Sequence, residues 1–589
     1  MYDSFIDTIY NVKIIEINIA YVLVTILIGY ITYFEFRAVF KKIFIILAVP
    51  VWRIVGYREY MSKEYRRIQC ELKDRVEKNE TVYLIGITLG THNAGVSLVS
   101  VSKKKGIHLI CNNEEERFSG MKHDWRFPIH SLSKLKEIIQ QINSKQNDKM
   151  EILCCLVSWD FMAFSATWFD YLLSHFPSNI KLWLPSKSLK SFIDLNAIIN
   201  GPKLMFRDPF FSNNIIHKNQ FFGSRHHDNH AYMSYGISPF YNAKGSTMVL
   251  VVDGMGDDAS ISFYVSSASN KKKLKFIGCN NSIFNSIGIL YQVLSSSQGG
   301  WTPLSSEGRY MGASAWGNLN RQTNSFYLQL RQIVEFGSNG DIKLNTNLVN
   351  WQNDPISRPY KKKLIDIIGM PILPSECWNP DNVLNVDNVQ HAPATIERCD
   401  KAAALQMVFE DCIFHLVTYL ISKTKQMFNG RASNNLIWTG GCALNCAASM
   451  HLLDQFNNTF YERVDILHNN AEETDSNKIY NKKSRTLHLW VPPFPSDPGV
   501  AAGSVYTMAM QANIDHLSIN PLRHAFYCGT AFNSIEIQQT IYNFNDIGCI
   551  KISDSNNNNV ITNVANFLAY AVGVKNMVLG IFQGIAETG

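Results

Sequence analysis

Apolar and polar positions along the chain change pattern several times. Ile17 to Phe34 carries no charged side chain over 18 residues, near the lower limit of about 17–25 for crossing a bilayer. A second apolar run, Ile43 to Trp52, is short and contains Pro50, so it reads as an interfacial or re-entrant piece. Met61 to Glu80 is charged and helix-like. From Thr81 the pattern is that of strands: Tyr83–Thr88, a Gly/Asn turn over Leu89–Gly95, and a returning strand Val96–Val101. The plan recurs with Thr247–Val252, the turn Asp253–Asp258, and Ala259–Val265. A third strand, Asn435–Thr439, runs through Gly440-Gly441-Cys442-Ala443-Leu444-Asn445 into a helix. Two hairpins with tight polar turns and a Gly-Gly strand-to-helix loop, in this order, predict an α/β chain.

These elements together resemble the phosphate and adenosine elements of the two-lobed actin, Hsp70 and sugar-kinase fold, a duplicated RNase H-like unit. Glycines at such a loop let a nucleotide approach the backbone, with the helix N-terminus facing its anionic groups.

Composition narrows the class. Hydrophobic residues make up 46% and charged residues 18%, which excludes a disordered or coiled-coil chain. The net charge of +6 is mild for 589 residues, and the Lys triplets at 103–105, 271–273 and 361–363 are far apart, so no nucleic-acid partner is expected. Twelve scattered cysteines without a paired CxxC fit a reducing compartment. Around the first apolar run Asp3, Asp7 and Glu16 precede, while Arg37, Lys41, Lys42, Arg53 and Arg58 follow. The positive-inside rule then predicts a single-pass membrane protein with its catalytic part cytoplasmic. His468–Arg485 and Ser553–Asn559 read as exposed polar loops.

Arg225-His226-His227-Asp228-Asn229-His230-Ala231 holds the densest histidine cluster. On a helix, His226 and His230 share a face and can ligate one metal, while His227 points elsewhere. Pro493–Gly503 is a small-residue loop opening a helix, with Asp497 at its centre. Asp497 can complete a two-His-one-carboxylate face, which suits Fe(II), with Zn(II) or Mn(II) less favoured. Helix capping is the plainer reading of Asp497.

Six motifs then agree with one family, the O-carbamoyltransferases of nodulation-factor and antibiotic biosynthesis, including the tobramycin, cephamycin and ansamycin enzymes. Its "EERxxxxKHD" resembles Glu115-Glu116-Arg117 with Lys122-His123-Asp124. Its "HHxxH" is matched by His226, His227 and His230, and its "DGxGD" by Asp253, Gly254, Gly256 and Asp257. Its "EGKxMGLAxYG" resembles Glu307–Gly317, with Arg309 in place of Lys, and its "GGxALN" and "DxGxAxG" match Gly440–Asn445 and Asp497–Gly503.

The resemblance implies a larger actin-like domain, similar to the tRNA threonylcarbamoyl transferase subunit, and a second domain like threonylcarbamoyl-adenylate synthase. In the family the second domain makes carbamoyl-adenylate from carbamoyl phosphate and ATP, and the larger one passes the carbamoyl group to a hydroxyl of a small-molecule acceptor. Carried over, His226, His230 and Asp497 bind the metal. His92, Asn93, Asp253, Gly254, Gly256, Gly440, Gly441 and Asn445 face ATP or carbamoyl-adenylate. His227 is the candidate proton acceptor, with a structural role as the alternative. The expected division is a membrane anchor and linker over 1–80, lobes over 81–243 and 244–520, and the incomplete start of the adenylate-forming domain over 521–589. The junction "QGRxExGPRALGxRS" is entered at Gln583-Gly584 and stops at Gly589, with Ile585 for the family's Arg. Two alternatives follow: a catalytically incomplete nucleotide-binding protein of the same fold, or a tRNA threonylcarbamoyl transferase-like enzyme.

Overall fold

The computed structural model describes residues 35–146, 149–179, 194–242, 245–266, 273–280, 282–354, 358–389, 392–469 and 485–515. It also describes short pieces at 29, 32–33, 517, 519, 521–522, 534–543, 558–575 and 577–578. Most of Ile17–Phe34, most of the two polar loops, and the junction at Gln583–Gly589 lie outside the described residues.

The first sheet is built from β1 (Tyr57–Arg58), β2 (Val82–Thr88), β3 (Gly95–Ser102), β4 (Gly106–Glu114), β5 (Ile152–Val157) and β6 (Phe221–Gly223). Its order is β1-β6-β5-β2-β3-β4: an antiparallel meander β2-β3-β4 with parallel strands added beside β2. The second sheet uses β7 (Thr247–Val252), β8 (Ile261–Ser266), β9 (Lys275–Cys279) and, beyond a small hairpin of β10 (Val334–Phe336) and β11 (Ile342–Leu344), β12 (Asn435–Thr439) and β13 (His488–Trp490). Its order β13-β12-β7-β8-β9 repeats the plan, with β12 and β13 parallel to β7. Mixed α/β architecture and an internal duplication are therefore visible in the topology. β2, β3, β7 and β12 are buried at nearly every position, as expected of strands covered on both faces.

Eight helices matter below: α1 (Arg37–Ile54), α2 (Lys63–Glu77), α3 (Ile129–Gln146), α4 (Phe161–Ser174), α5 (His226–Ile237), α6 (Pro393–Met427), α7 (Cys446–Gln455) and α8 (Val500–Gln511). Helices α5 and α8 lie between the sheets in one core that joins Val82 and Val99 of the first to Val249 and Val251 of the second. The small residues of α8 allow this. A Cβ on Gly503 would stand 2.5 Å from the Asn229 carbonyl oxygen of α5, and one on Gly86 of β2 would stand 1.8 Å from that of Ala501. α6 is the buried core helix of the second lobe and, among the described residues, the one helix long and apolar enough to cross a membrane.

Several expectations change. Residues 57–77 are not linker: β1 pairs with β6, and α2 buries Tyr65, Ile68, Leu72 and Val76, whose spacing of three or four places them on one stripe. Pro50 does not break the second apolar run, since α1 continues through it to Ile54. α8, numbered with the second lobe, packs on β2 and β3 of the first sheet as well. Asn558 and Asn559 open a helix, Asn558–Gly573, rather than ending a loop.

Candidate metal centre and nucleotide cleft

The histidines sit in the first turn of α5, which is buried throughout. Helical spacing places His226 and His230 on one side, with their Nε2 atoms 3.3 Å apart. Asp253 ends β7 and brings Oδ2 to 3.0 Å from His230 Nε2. Asp497 stands where the Pro493–Gly503 loop turns into α8, its Oδ1 3.3 Å from His226 Nε2 and 3.5 Å from His230 Nε2. Ligand atoms of these four buried residues all lie within 4.8 Å of one another. Two imidazole nitrogens facing at 3.3 Å can share at most one proton, and Asp497 Oδ1 has no well-formed hydrogen bond among the described residues. A divalent cation would satisfy all of these donors, so the residues fit a metal.

Without a cation the cluster is strongly coupled. Burial disfavours a charged His230 ring, but the neighbouring Asp253 and Asp497 carboxylates outweigh it and raise its pKa to about 9. Against the same cost of burial, His230 holds Asp253 below the ordinary carboxylate range, and His92 with His226 holds Asp497 well below it.

His227 points the other way, as expected. Its Nδ1 meets Ser262 Oγ of β8 at 2.7 Å, and its ring packs against Gly256. Burial first, then the neighbouring His226, pushes its pKa down to about 3, so it is neutral near pH 7. Its Nε2 is buried and has no hydrogen bond among the described residues.

The β2–β3 turn supplies the cleft's other wall. Asn93 donates from Nδ2 to Glu114 Oε1 at 2.7 Å, which leaves its Oδ1 to accept from His92 Nδ1 at 2.8 Å. That bond places the basic nitrogen of His92 at Nε2, which is 3.5 Å from Asp497 Oδ2. Burial works against charge on His92, but Asp497 and Asn93 raise its pKa. His123 spans the lobes, its Nε2 donating to the Leu304 carbonyl at 2.9 Å. The acidic motif explains this turn. Glu116 accepts from Lys122 Nζ and from His123 N–H, each at 2.8 Å, while Glu115 accepts the N–H of Ser131 at 2.8 Å at the start of α3.

Across the cleft, Gly440 has φ +92°, where a side chain is strained, and a Cβ there would stand 2.3 Å from the Val252 carbonyl oxygen. The next residue, Gly441, donates its N–H to Asp253 Oδ2 at 2.9 Å, and Gly254 donates to Asp253 Oδ1 at 2.5 Å. A Cβ on Gly254 would meet nothing within 4 Å, so this turn borders open space. Asn445 is committed elsewhere: it caps α7 through Ala448 N–H at 2.9 Å and exchanges hydrogen bonds with Gln406 of α6. Arg309 is exposed, held by Ser305 and over the Trp378 ring.

The structure therefore brings together His92, Asn93, Asp253, Gly254, Gly441, His226, His230 and Asp497, sets Gly440 behind them, and turns His227, with Gly256 against its ring, and Asn445 away. Sequence reasoning gave Asp253 to the nucleotide and missed its place beside His230. It also missed Trp159, stacked on His226 with centroids 4.1 Å apart, and Asp257, whose Oδ2 accepts the His226 N–H at 2.6 Å.

A family described as "Carbamoyltransferase N-terminus" matches residues 83–464. Among solved structures, the chain is similar to component A of (R)-2-hydroxyglutaryl-CoA dehydratase from Acidaminococcus fermentans at 10% identity, covering 74% of this chain and 100% of that one, TM-score 0.26. It is also similar to a ROK hexokinase from Thermus thermophilus at 12% identity, covering 72% and 97%, TM-score 0.29. For T. kodakarensis HypF the identity is 10%, and the match takes in 74% of this chain but 50% of that one, TM-score 0.28. No curated protein matches the chain.

Proposed function

Since the chain belongs to the carbamoyltransferase family through the domain over residues 83–464, we propose that it transfers a carbamoyl group from carbamoyl-adenylate to a hydroxyl of a small-molecule acceptor. The observation that supports this reading most is the convergence of His226, His230, Asp253 and Asp497 beside the open turn at Gly254. In the reaction the acceptor oxygen attacks the carbamoyl carbon, the bond from that carbon to the adenylate phosphate oxygen breaks, and a carbamate ester and AMP leave. Carbamoyl phosphate and ATP are the proposed source of the adenylate.

The metal, Fe(II) first and Zn(II) or Mn(II) next, would be held by the four residues and would neutralise phosphate charge as a Lewis acid. The protein's own groups do the rest. Polar turns from both lobes fix the nucleotide, which contributes through proximity. The acceptor proton has two candidate destinations. His92 offers a basic Nε2 on the cleft side. His227 is neutral but a weak base at a pKa of about 3. The uncharged run Ile17–Phe34 is proposed to tether this machinery to a membrane with the catalytic part cytoplasmic.

Incubating the protein with preformed carbamoyl-adenylate and a panel of hydroxyl acceptors tests the reading. Metal-dependent AMP release matched by carbamate ester supports it. Nucleotide binding without release would instead favour the catalytically incomplete relative.

A further inference from the structure

Helix α1 has an apolar face that no other described element covers. Val39, Ile43, Ile46, Leu47, Val51 and Ile54 recur at three- and four-residue steps, and each is 40–85% exposed. The opposite face is fixed to the protein. Trp52 stacks on Phe161 of α4 with centroids 5.2 Å apart and donates to Ser165 Oγ at 3.0 Å. Arg37 makes a two-pronged pair with Asp170 of α4 at 2.7 and 2.8 Å. Phe169 of α4, half exposed, lies 6.0 Å from Phe44 and adds to the apolar surface.

Charge decides what covers this face. The 18 residues of α1 include Arg37, Lys41, Lys42 and Arg53 and no acidic residue. Arg37 is paired with Asp170 and Arg53 with Glu59 and Glu64, which leaves Lys41 and Lys42 as the cations that oppose a path across the hydrocarbon but suit a helix lying in the headgroup layer. In the sequence, the uncharged run Ile17–Phe34 ends only two residues, Glu35 and Phe36, before α1.

We propose that α1 lies along the surface of an anionic bilayer, with the Ile43–Ile46–Leu47–Val51–Ile54 face in the acyl boundary and Lys41 and Lys42 among the headgroups. The pairing with α4 then holds the first lobe at a fixed orientation on the membrane. This inference does not depend on the carbamoyl-transfer reading.

The test uses the full chain with an environment-sensitive fluorescent amino acid at position 47, and a control label at Lys78 beyond the end of α2. Phosphatidylcholine vesicles are used with and without phosphatidylserine. Position 47 should shift to shorter wavelength and be quenched by brominated acyl chains, more so with phosphatidylserine, while position 78 stays unchanged. Ile43→Glu with Ile46→Glu should cut the position-47 shift and quenching about tenfold or more, leaving AMP release from carbamoyl-adenylate intact. A position-47 spectrum unchanged by vesicles would overturn the proposal. So would a blue-shifted spectrum without vesicles, whether it accompanies a dimer or a monomer.

Discussion

Replacing Asp257 by alanine removes a carboxylate from the second lobe that ties two helices of the first. Its Oδ1 accepts the Asp160 N–H at 2.8 Å, at the N-cap of α4, and its Oδ2 accepts the His226 N–H at 2.6 Å, where α5 begins. Asp257 is buried, so water cannot replace it at either donor. Each buried N–H left unpaired costs about 1–3 kcal/mol, so the alanine variant should lose about 2–6 kcal/mol. Asparagine keeps one acceptor oxygen and presents an NH2 to the other donor, so Asp257→Asn should lose about half as much. At roughly 2–4 °C per kcal/mol for a unit of a few hundred residues, the alanine variant should melt about 5–20 °C lower. Because the His226 backbone is released, bound metal per chain should fall as well. Thermal unfolding followed by near-ultraviolet circular dichroism, with metal analysis of the same samples, makes the comparison. An Asp257→Ala protein that melts with wild type and keeps its metal would refute the reasoning.

Gly440→Ala places a Cβ 2.3 Å from the Val252 carbonyl oxygen at φ +92° and should cost at least about 2–3 kcal/mol, seen as poor soluble yield and early melting. Gly441→Ala makes only ordinary contact, 3.4 Å from Asp253 Oδ1, and should melt with wild type while binding adenine nucleotide more weakly in a titration. Asp160 supplies a pH dependence with a definite sign. Burial, opposed by hydrogen bonds from Ala163 and Met162 N–H, raises its pKa to about 6, so its contribution is fully present below about pH 4 and is lost as pH rises through 6. Asp160→Asn, which can still cap α4, should therefore gain up to about 3 kcal/mol at pH 8 and little at pH 4.5, a difference read from melting temperatures at the two values.

Much of this was legible because the signals are local. The two hairpin strands, β12 and the helical setting of His226 and His230 follow from apolar runs, turn residues and a four-residue spacing. What escaped depends on tertiary neighbours. Residues 57–77 look like linker because α2 is mostly charged, and only its stripe of Tyr65, Ile68, Leu72 and Val76 gives it away. Asn445 reads as a nucleotide contact until Gln406, 39 positions earlier, is seen to hold it. Asp253 reads as a turn residue because nothing in its own segment indicates that α5 lies opposite. Pro50 reads as a break, yet α1 continues through it to Ile54, where Trp52 stacked on Phe161 of α4 holds the segment in place.

Carbamoyl transfer at the His226–His230–Asp253–Asp497 cluster is tested most directly by the rate of AMP release from carbamoyl-adenylate in the presence of a hydroxyl acceptor. Wild-type protein should lose this activity to a chelator and regain it with Fe(II). His230→Ala and Asp497→Asn should each fall about 100-fold or more with the fold intact. Turnover indifferent to chelator, and equal in wild type and both variants, would contradict the account.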